Sequence, residues 1–144
     1  MFKGKKVLVL GLAKSGKAAV ELLKFMHADI TINESKKKED IPEYDTYVSE
    51  GIEMVCGGQP DELFERDFDF VVKNPGINYH APFILRLKER GIPVYTEIEL
   101  GYKVAKKQHY IAVTGTNGKT TTVTLIYEIL KAAGRKAHIC GNYG

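Results

Sequence analysis

Twice in 144 residues a short apolar run breaks at a glycine-bearing loop and gives way to a helical stripe, and this repeated order limits the fold more than any other feature of the chain. Val7-Leu8-Val9-Leu10 ends at Gly11, after which Ala19, Leu22, Leu23 and Met26 recur at i, i+3, i+4 and i+7. An unbroken apolar run suits a strand buried on both faces, as in parallel sheets, and the stripe lays one helix face against such a sheet. Ile30–Ile32, Ile52–Cys56, Phe68–Val72 and Ile92–Tyr95 continue the series of strands. Further helical stripes follow Pro82 (Phe83, Ile84, Leu87) and run through Ile98, Gly101, Tyr102 and Ala105. Strands alternating with helices predict an α/β fold, a Rossmann-like doubly wound parallel sheet.

Lys106-Lys107-Gln108 interrupts the pattern, and the second occurrence begins at Tyr110-Ile111-Ala112-Val113. A glycine loop, a helix striped by Thr122, Leu125, Ile126, Ile129, Leu130 and Ala133 and closed by Gly134, and a strand over Lys136–Cys140 are expected to follow. The expected division is therefore 1–96 for the Rossmann-like domain. Residues 97–144 are read as a linker helix and the opening strand–P-loop–helix–strand of a second α/β domain. Two strands cannot cover both faces of a parallel sheet, so this second part is expected to be incomplete by itself.

Charge excludes one class of partner: 21 Lys and Arg against 18 Asp and Glu leave +3, too little for nucleic-acid binding by bulk electrostatics. No apolar run reaches the ~18–20 residues of a membrane span, and the expected compartment is the cytoplasm. Cys56 and Cys140 lie in apolar runs without CxxC spacing and are expected to be reduced, buried thiols. Lys36-Lys37-Lys38 reads as a solvated turn.

The two loops differ in chemistry. Gly11-Leu12-Ala13-Lys14-Ser15-Gly16-Lys17-Ala18 half-matches two templates. As a dinucleotide fingerprint it has Ala13 in place of the middle glycine, and Glu53 falls on the third strand rather than the second, a poor position for binding a ribose. As a P-loop it has Ala18 where a hydroxyl should hold Mg²⁺. Its best functional reading is an anion site at a helix start, with Lys14 and Ser15 adding contacts. A tight turn without a ligand, with Ser15 as a helix N-cap, is the structural alternative.

Thr114-Gly115-Thr116-Asn117-Gly118-Lys119-Thr120-Thr121 departs from the long P-loop formula only at Val113, where the first glycine belongs. Its glycines free the backbone to wrap an anion, Lys119 can reach β- and γ-phosphates, and the Thr120 hydroxyl can serve Mg²⁺. A nucleoside triphosphate is the expected ligand.

This second string, followed by Gly141-Asn142-Tyr143-Gly144, resembles the Mur ligase family of ATP-dependent amide-forming enzymes of peptidoglycan precursor synthesis. The first loop, Lys73-Asn74-Pro75-Gly76-Ile77 and Glu97-Ile98-Glu99-Leu100 look like the branch that adds D-glutamate to UDP-N-acetylmuramoyl-L-alanine. The resemblance implies that Gly115, Thr116, Asn117, Gly118, Lys119, Thr120 and Thr121 bind ATP, with Lys119 catalytic and Thr120 on Mg²⁺. It also implies that Lys14 and Ser15 lie at the phosphates of the UDP-sugar and Asn33 near uracil, with Asn74 and Asn142 facing substrate. The implied enzyme is a monomer that forms an acyl phosphate, and this chain alone is expected to be inactive. A ligase for another amino acid and a non-catalytic nucleotide-binding module are the alternatives.

Overall fold

The structure is a computed structural model and describes residues 2–105 and 107–141. The chain divides into two compact units, Met1–Val104 and Ala105–Gly144.

In the first unit five parallel strands form one sheet in the order β3-β2-β1-β4-β5: β1 Lys6–Leu10, β2 Asp29–Glu34, β3 Glu53–Cys56, β4 Phe70–Lys73 and β5 Val94–Thr96. Side chains alternate across the sheet, and both sides are apolar. Val7, Val9, Ile30, Ile32, Phe70 and Val72 build one core with α1 (Lys14–Phe25), α2 (Tyr44–Ser49) and α5 (Glu97–Val104). Leu8, Leu10, Val71 and Val94 build the other with α3 (Asp61–Phe64) and α4 (Pro82–Glu89). Because β1 is covered on both sides, every residue from Val7 to Leu10 is fully buried. The strand order reverses beside β1, which is the switch point where doubly wound sheets open a crevice at their carboxyl edge.

Three helices of this unit end by one device. After α1, α2 and α4 the N–H two residues past the cap returns to the helix: Ala28 to the Leu23 carbonyl, Ile52 to Tyr47 and Ile92 to Leu87. This closing motif carries an apolar contact across the turn, as between Leu87 and Ile92 in one core, and delivers the chain directly toward the next strand.

Helix α5, expected as a linker helix, packs on the first sheet, and the first compact unit runs to Val104. Two expectations from the sequence are corrected. The sheet side of α5 is Leu100, fully buried, with Val104, while Ile98 and Tyr102 are exposed. The helix is apolar on two sides, and the stripe through Ile98, Gly101 and Tyr102 is the outer one. The Cys56 thiol is half-buried and Cys140 exposed.

In the second unit α6 spans Lys119–Ala132 and closes as expected, with Gly134 left-handed and the Arg135 N–H on the Leu130 carbonyl. Neither Tyr110–Val113 nor Lys136–Cys140 is a strand. A parallel strand exists only through a ladder partner, and among the described residues these segments have none. No residue of α6 is buried, and Leu125 and Ile129 are exposed.

Candidate functional site

Strand register sets Val55, Asn33, Leu10, Lys73 and Thr96 in one row across the carboxyl edge of the sheet. Of the buried polar side chains among the described residues, Asn33, Glu34 and Lys73 stand at this edge. Buried polar groups need partners, and theirs come from the loops that leave the edge.

Helix α1 starts immediately after β1 because Gly16 permits it. A Cβ at Gly16 would lie 1.9 Å from the Gly11 carbonyl oxygen, so any side chain would push the helix off the strand. Ala13 is the N-cap and offers no side-chain oxygen, which leaves the first-turn N–H groups of a 12-residue helix without a cap. Such a terminus attracts anions through its free donors and its dipole. Ser15 lies inside the helix and is not the cap. Its hydroxyl instead accepts a hydrogen bond from the Asn74 amide at 3.3 Å, tying the β1–α1 loop to the turn after β4.

A cleft of about 290 Å³ opens along this edge, bounded by Gly11 to Ala13 on one side and Asn74 and Ile77 on the other. Its charged wall comes from Lys17, Glu34, Lys36, Asp40 and Glu43. Lys17 is held by the Glu43 carboxylate, which raises the Lys17 pKa and lowers that of Glu43. The second Glu43 oxygen is buried without a partner.

Glu34 is the group that sequence reasoning missed. It closes β2, about 20 residues past the glycine loop, where a dinucleotide domain carries its ribose-binding acid; Glu53, weighed instead, is gripped by both nitrogens of the Arg66 fork at 2.9 and 2.6 Å. Glu34 turns inward. Its carboxylate accepts the Leu12 N–H at 2.7 Å, the Lys36 N–H at 3.2 Å and the Ser35 hydroxyl at 3.1 Å. Burial pushes its pKa up, but these bonds and the Lys36 charge win and hold it below the ordinary carboxylate range.

Asn33 and Asn74 both line the cleft. Asn33 gives its amide hydrogens to the Val55 and Gly58 carbonyls at 3.1 and 2.8 Å, fixing the end of β3. Lys14 and Ser15 are not in the cleft wall, and Lys17 and Lys36 supply its cations. Lys36 belongs to the exposed lysine run read as a solvated turn, and Lys17 is the lysine of the half-matched P-loop. Asn142 lies outside the described residues.

In the second unit the loop from Gly115 to Gly118 precedes α6, with Gly118 as a left-handed N-cap and Lys119, Thr120 and Thr121 forming the first turn. A left-handed cap favours glycine, which has no Cβ to clash. Thr116, Asn117, Thr120 and Thr121 are exposed, as a phosphate site requires. The Lys119 ammonium folds back over the loop and donates to the carbonyls of Gly115 and, at 3.2 Å, Thr116.

Residues 5–96 match the Mur ligase MurD-like N-terminal domain, and residues 113–144 match the Mur ligase middle domain. UDP-N-acetylmuramoylalanine--D-glutamate ligase of Streptococcus agalactiae serotype Ia is 48% identical over 99% of this chain, and the Streptococcus pneumoniae Hungary19A-6 protein of that name is 49% identical over 99%. The chain spans about a third of the length of these relatives, 32% of each. Among solved structures, UDP-N-acetylmuramate-alanine ligase MurC from Thermotoga maritima aligns with a TM-score of 0.57 at 24% identity, covering 90% of this chain and 30% of that one. A pseudomurein peptide ligase type C from Methanothermus fervidus aligns with a TM-score of 0.58 at 28% identity, covering 91% and 27%. The glycine-tight entry to α1, the parallel order 3-2-1-4-5 and the match over residues 5–96 agree: the chain belongs to the Mur ligase MurD-like N-terminal domain family.

Proposed function

We propose that the first unit holds the UDP end of UDP-N-acetylmuramoyl-L-alanine and that the 105–144 unit supplies the ATP phosphate loop of a cytoplasmic, monomeric ligase that adds D-glutamate. The observation that carries this reading is the chemical difference between two helix-start loops in one chain. The loop at α1 has an uncapped terminus, two nearby lysines and Ala18 in place of a metal-binding hydroxyl, which suits a phosphate that is held and not transferred. The loop at α6 carries Gly-Lys-Thr, which suits a phosphoryl group that moves.

In this mechanism the first turn of α1, which carries Lys14 and Ser15, takes the diphosphate with Lys17 and Lys36 of the cleft wall, and Asn33 and Asn74 meet the nucleoside and sugar side. Gly115 to Thr121 wrap the triphosphate of ATP, and Lys119 exchanges the Gly115 and Thr116 carbonyls for phosphate oxygens. The γ-phosphoryl group passes to the alanyl carboxylate, giving an acyl phosphate and ADP. The amine of D-glutamate then attacks the carbonyl carbon, loses a proton and expels inorganic phosphate, with Asn142 on the substrate side. Lys119 contributes by meeting charge that shifts as the phosphoryl group moves. Mg²⁺, when bound, neutralises phosphate charge. Among the described residues no group of three His, Cys, Asp or Glu side chains could hold a metal; the Thr120 hydroxyl would be one ligand to an ion that arrives with ATP.

The test is phosphate release coupled to amide formation by a polypeptide of the relatives' length. D-glutamate is expected to be the accepted amino acid, and Lys119→Ala should lower kcat by about 10²–10³. Preference for another amino acid would reassign the acceptor. Absence of ATP-dependent phosphate release with both substrates present would leave a non-catalytic nucleotide-binding module.

A further inference from the structure

Lys73 is 4% exposed, and among the described residues no carboxylate lies within ion-pair distance of it. Taking an ammonium out of water without a counter-charge costs free energy, and an apolar residue of similar size would remove that cost. What the side chain does touch lies in one turn. Its Nζ donates to the Ile77 carbonyl at 3.0 Å and stands 3.4 Å from that of Asn74, bridging both ends of Asn74-Pro75-Gly76-Ile77. The Tyr79 ring covers the charge at 4.9 Å, and the Tyr79 hydroxyl is anchored on the Val94 carbonyl of β5.

The bridged turn has its own internal bonds, with the Gly76 N–H on the Asn74 side-chain oxygen and the Ile77 N–H on the Asn74 carbonyl, both at 3.0 Å. Together these point the Asn74 amide at Ser15 and bring the Asn74 Cβ so near Gly11 that a Cβ there would lie 3.3 Å away. Two loops of the cleft thus meet at Asn74, and the turn that aims it is held from beneath by Lys73.

We propose that Lys73 is a positioning residue for the substrate cleft: it fixes the Asn74–Ile77 turn so that Asn74 and Ser15 are set for the nucleotide before it binds. This rests on the UDP reading above for its ligand. Its structural half stands independently of any ligand. A charge buried at a cost to stability, to hold a turn, predicts an unusual combination of effects. Lys73→Met, close in size and uncharged, should leave the melting temperature unchanged or raise it while loosening the turn.

The test uses the 144-residue chain and its Lys73→Met, Asn74→Ala and double variants, with UDP as the probe. Amide hydrogen exchange without ligand should quicken at Gly76 and Ile77 in Lys73→Met, about tenfold or more, with the β1 and β2 amides unchanged. UDP affinity should fall about tenfold in Lys73→Met, and the double variant should lose little beyond Asn74→Ala alone, because Lys73 acts through Asn74. Unchanged exchange at Gly76 and Ile77 would overturn the proposal, as would a lowered melting temperature with unaltered UDP affinity. If the parent chain fails to bind UDP, the ligand assignment falls, and the exchange measurement alone decides the role of Lys73.

Discussion

At Gly16 a single hydrogen stands where any side chain would meet backbone. With a Cβ 1.9 Å from the Gly11 carbonyl, and backbone on both sides of the clash, neither partner can rotate away. Gly16→Ala should cost about 3 kcal/mol, the upper range for overpacking, read as a lower urea midpoint with an unchanged m-value. Glu34 acts through its charge. Its folded pKa is depressed, so the stability it lends is fully present above the ordinary carboxylate pKa and is lost as pH falls through the folded value. Glu34→Gln should cost about 1–2 kcal/mol at pH 7, and its deficit against the parent should shrink as pH is lowered below about 4, in urea melts across that range. A deficit constant in pH would mean that packing, not charge, sustains the site. Gly16 was legible in the sequence because its spacing from Gly11 is a known turn constraint. Glu34 was not, because an acid at a strand end reads as solvated until the fold shows Leu12, Ser35 and Lys36 closing around it. The same holds for Lys73, whose neighbours are backbone carbonyls with no sequence signature.

The elements of the first sheet were readable because each strand is a short apolar run and each long helix carries a stripe, and both signals survive without knowledge of partners. What failed depended on partners. Tyr110–Val113 has the composition of a buried strand and no ladder among the described residues, and α5 offers two apolar faces between which only the sheet decides. Helices α2 and α3 have six and four residues, too short for a stripe to register. Helix endings give a sharper test. Gly51, Gly91 and Gly134 occupy the left-handed position of the closing motif, but after α1 that position holds His27 at φ 56. The left-handed cost for a side chain is about 1–2 kcal/mol, partly cancelled by the greater freedom glycine loses. His27→Gly should therefore stabilise the chain by about 0.5–1 kcal/mol in chemical denaturation, and destabilisation would show that the exposed imidazole makes a compensating interaction.

Over the whole molecule, each of the two compact units carries one of the glycine loops of the sequence. No helix among the described residues is long and apolar enough to cross a membrane. The first unit has the topology of a dinucleotide domain, including an acid at the end of β2, so its ligand has to be argued from side chains and not from the fold. Two features favour a nucleoside diphosphate over a dinucleotide: Glu34 is spent on Leu12, Ser35 and Lys36, and Asn74 is latched to Ser15 across the loop. Isothermal titration of the 144-residue chain with UDP and, separately, with NAD tests that claim most directly. One UDP is expected to bind per chain, with NAD at least about tenfold weaker. NAD binding as tightly as UDP or more tightly would contradict it.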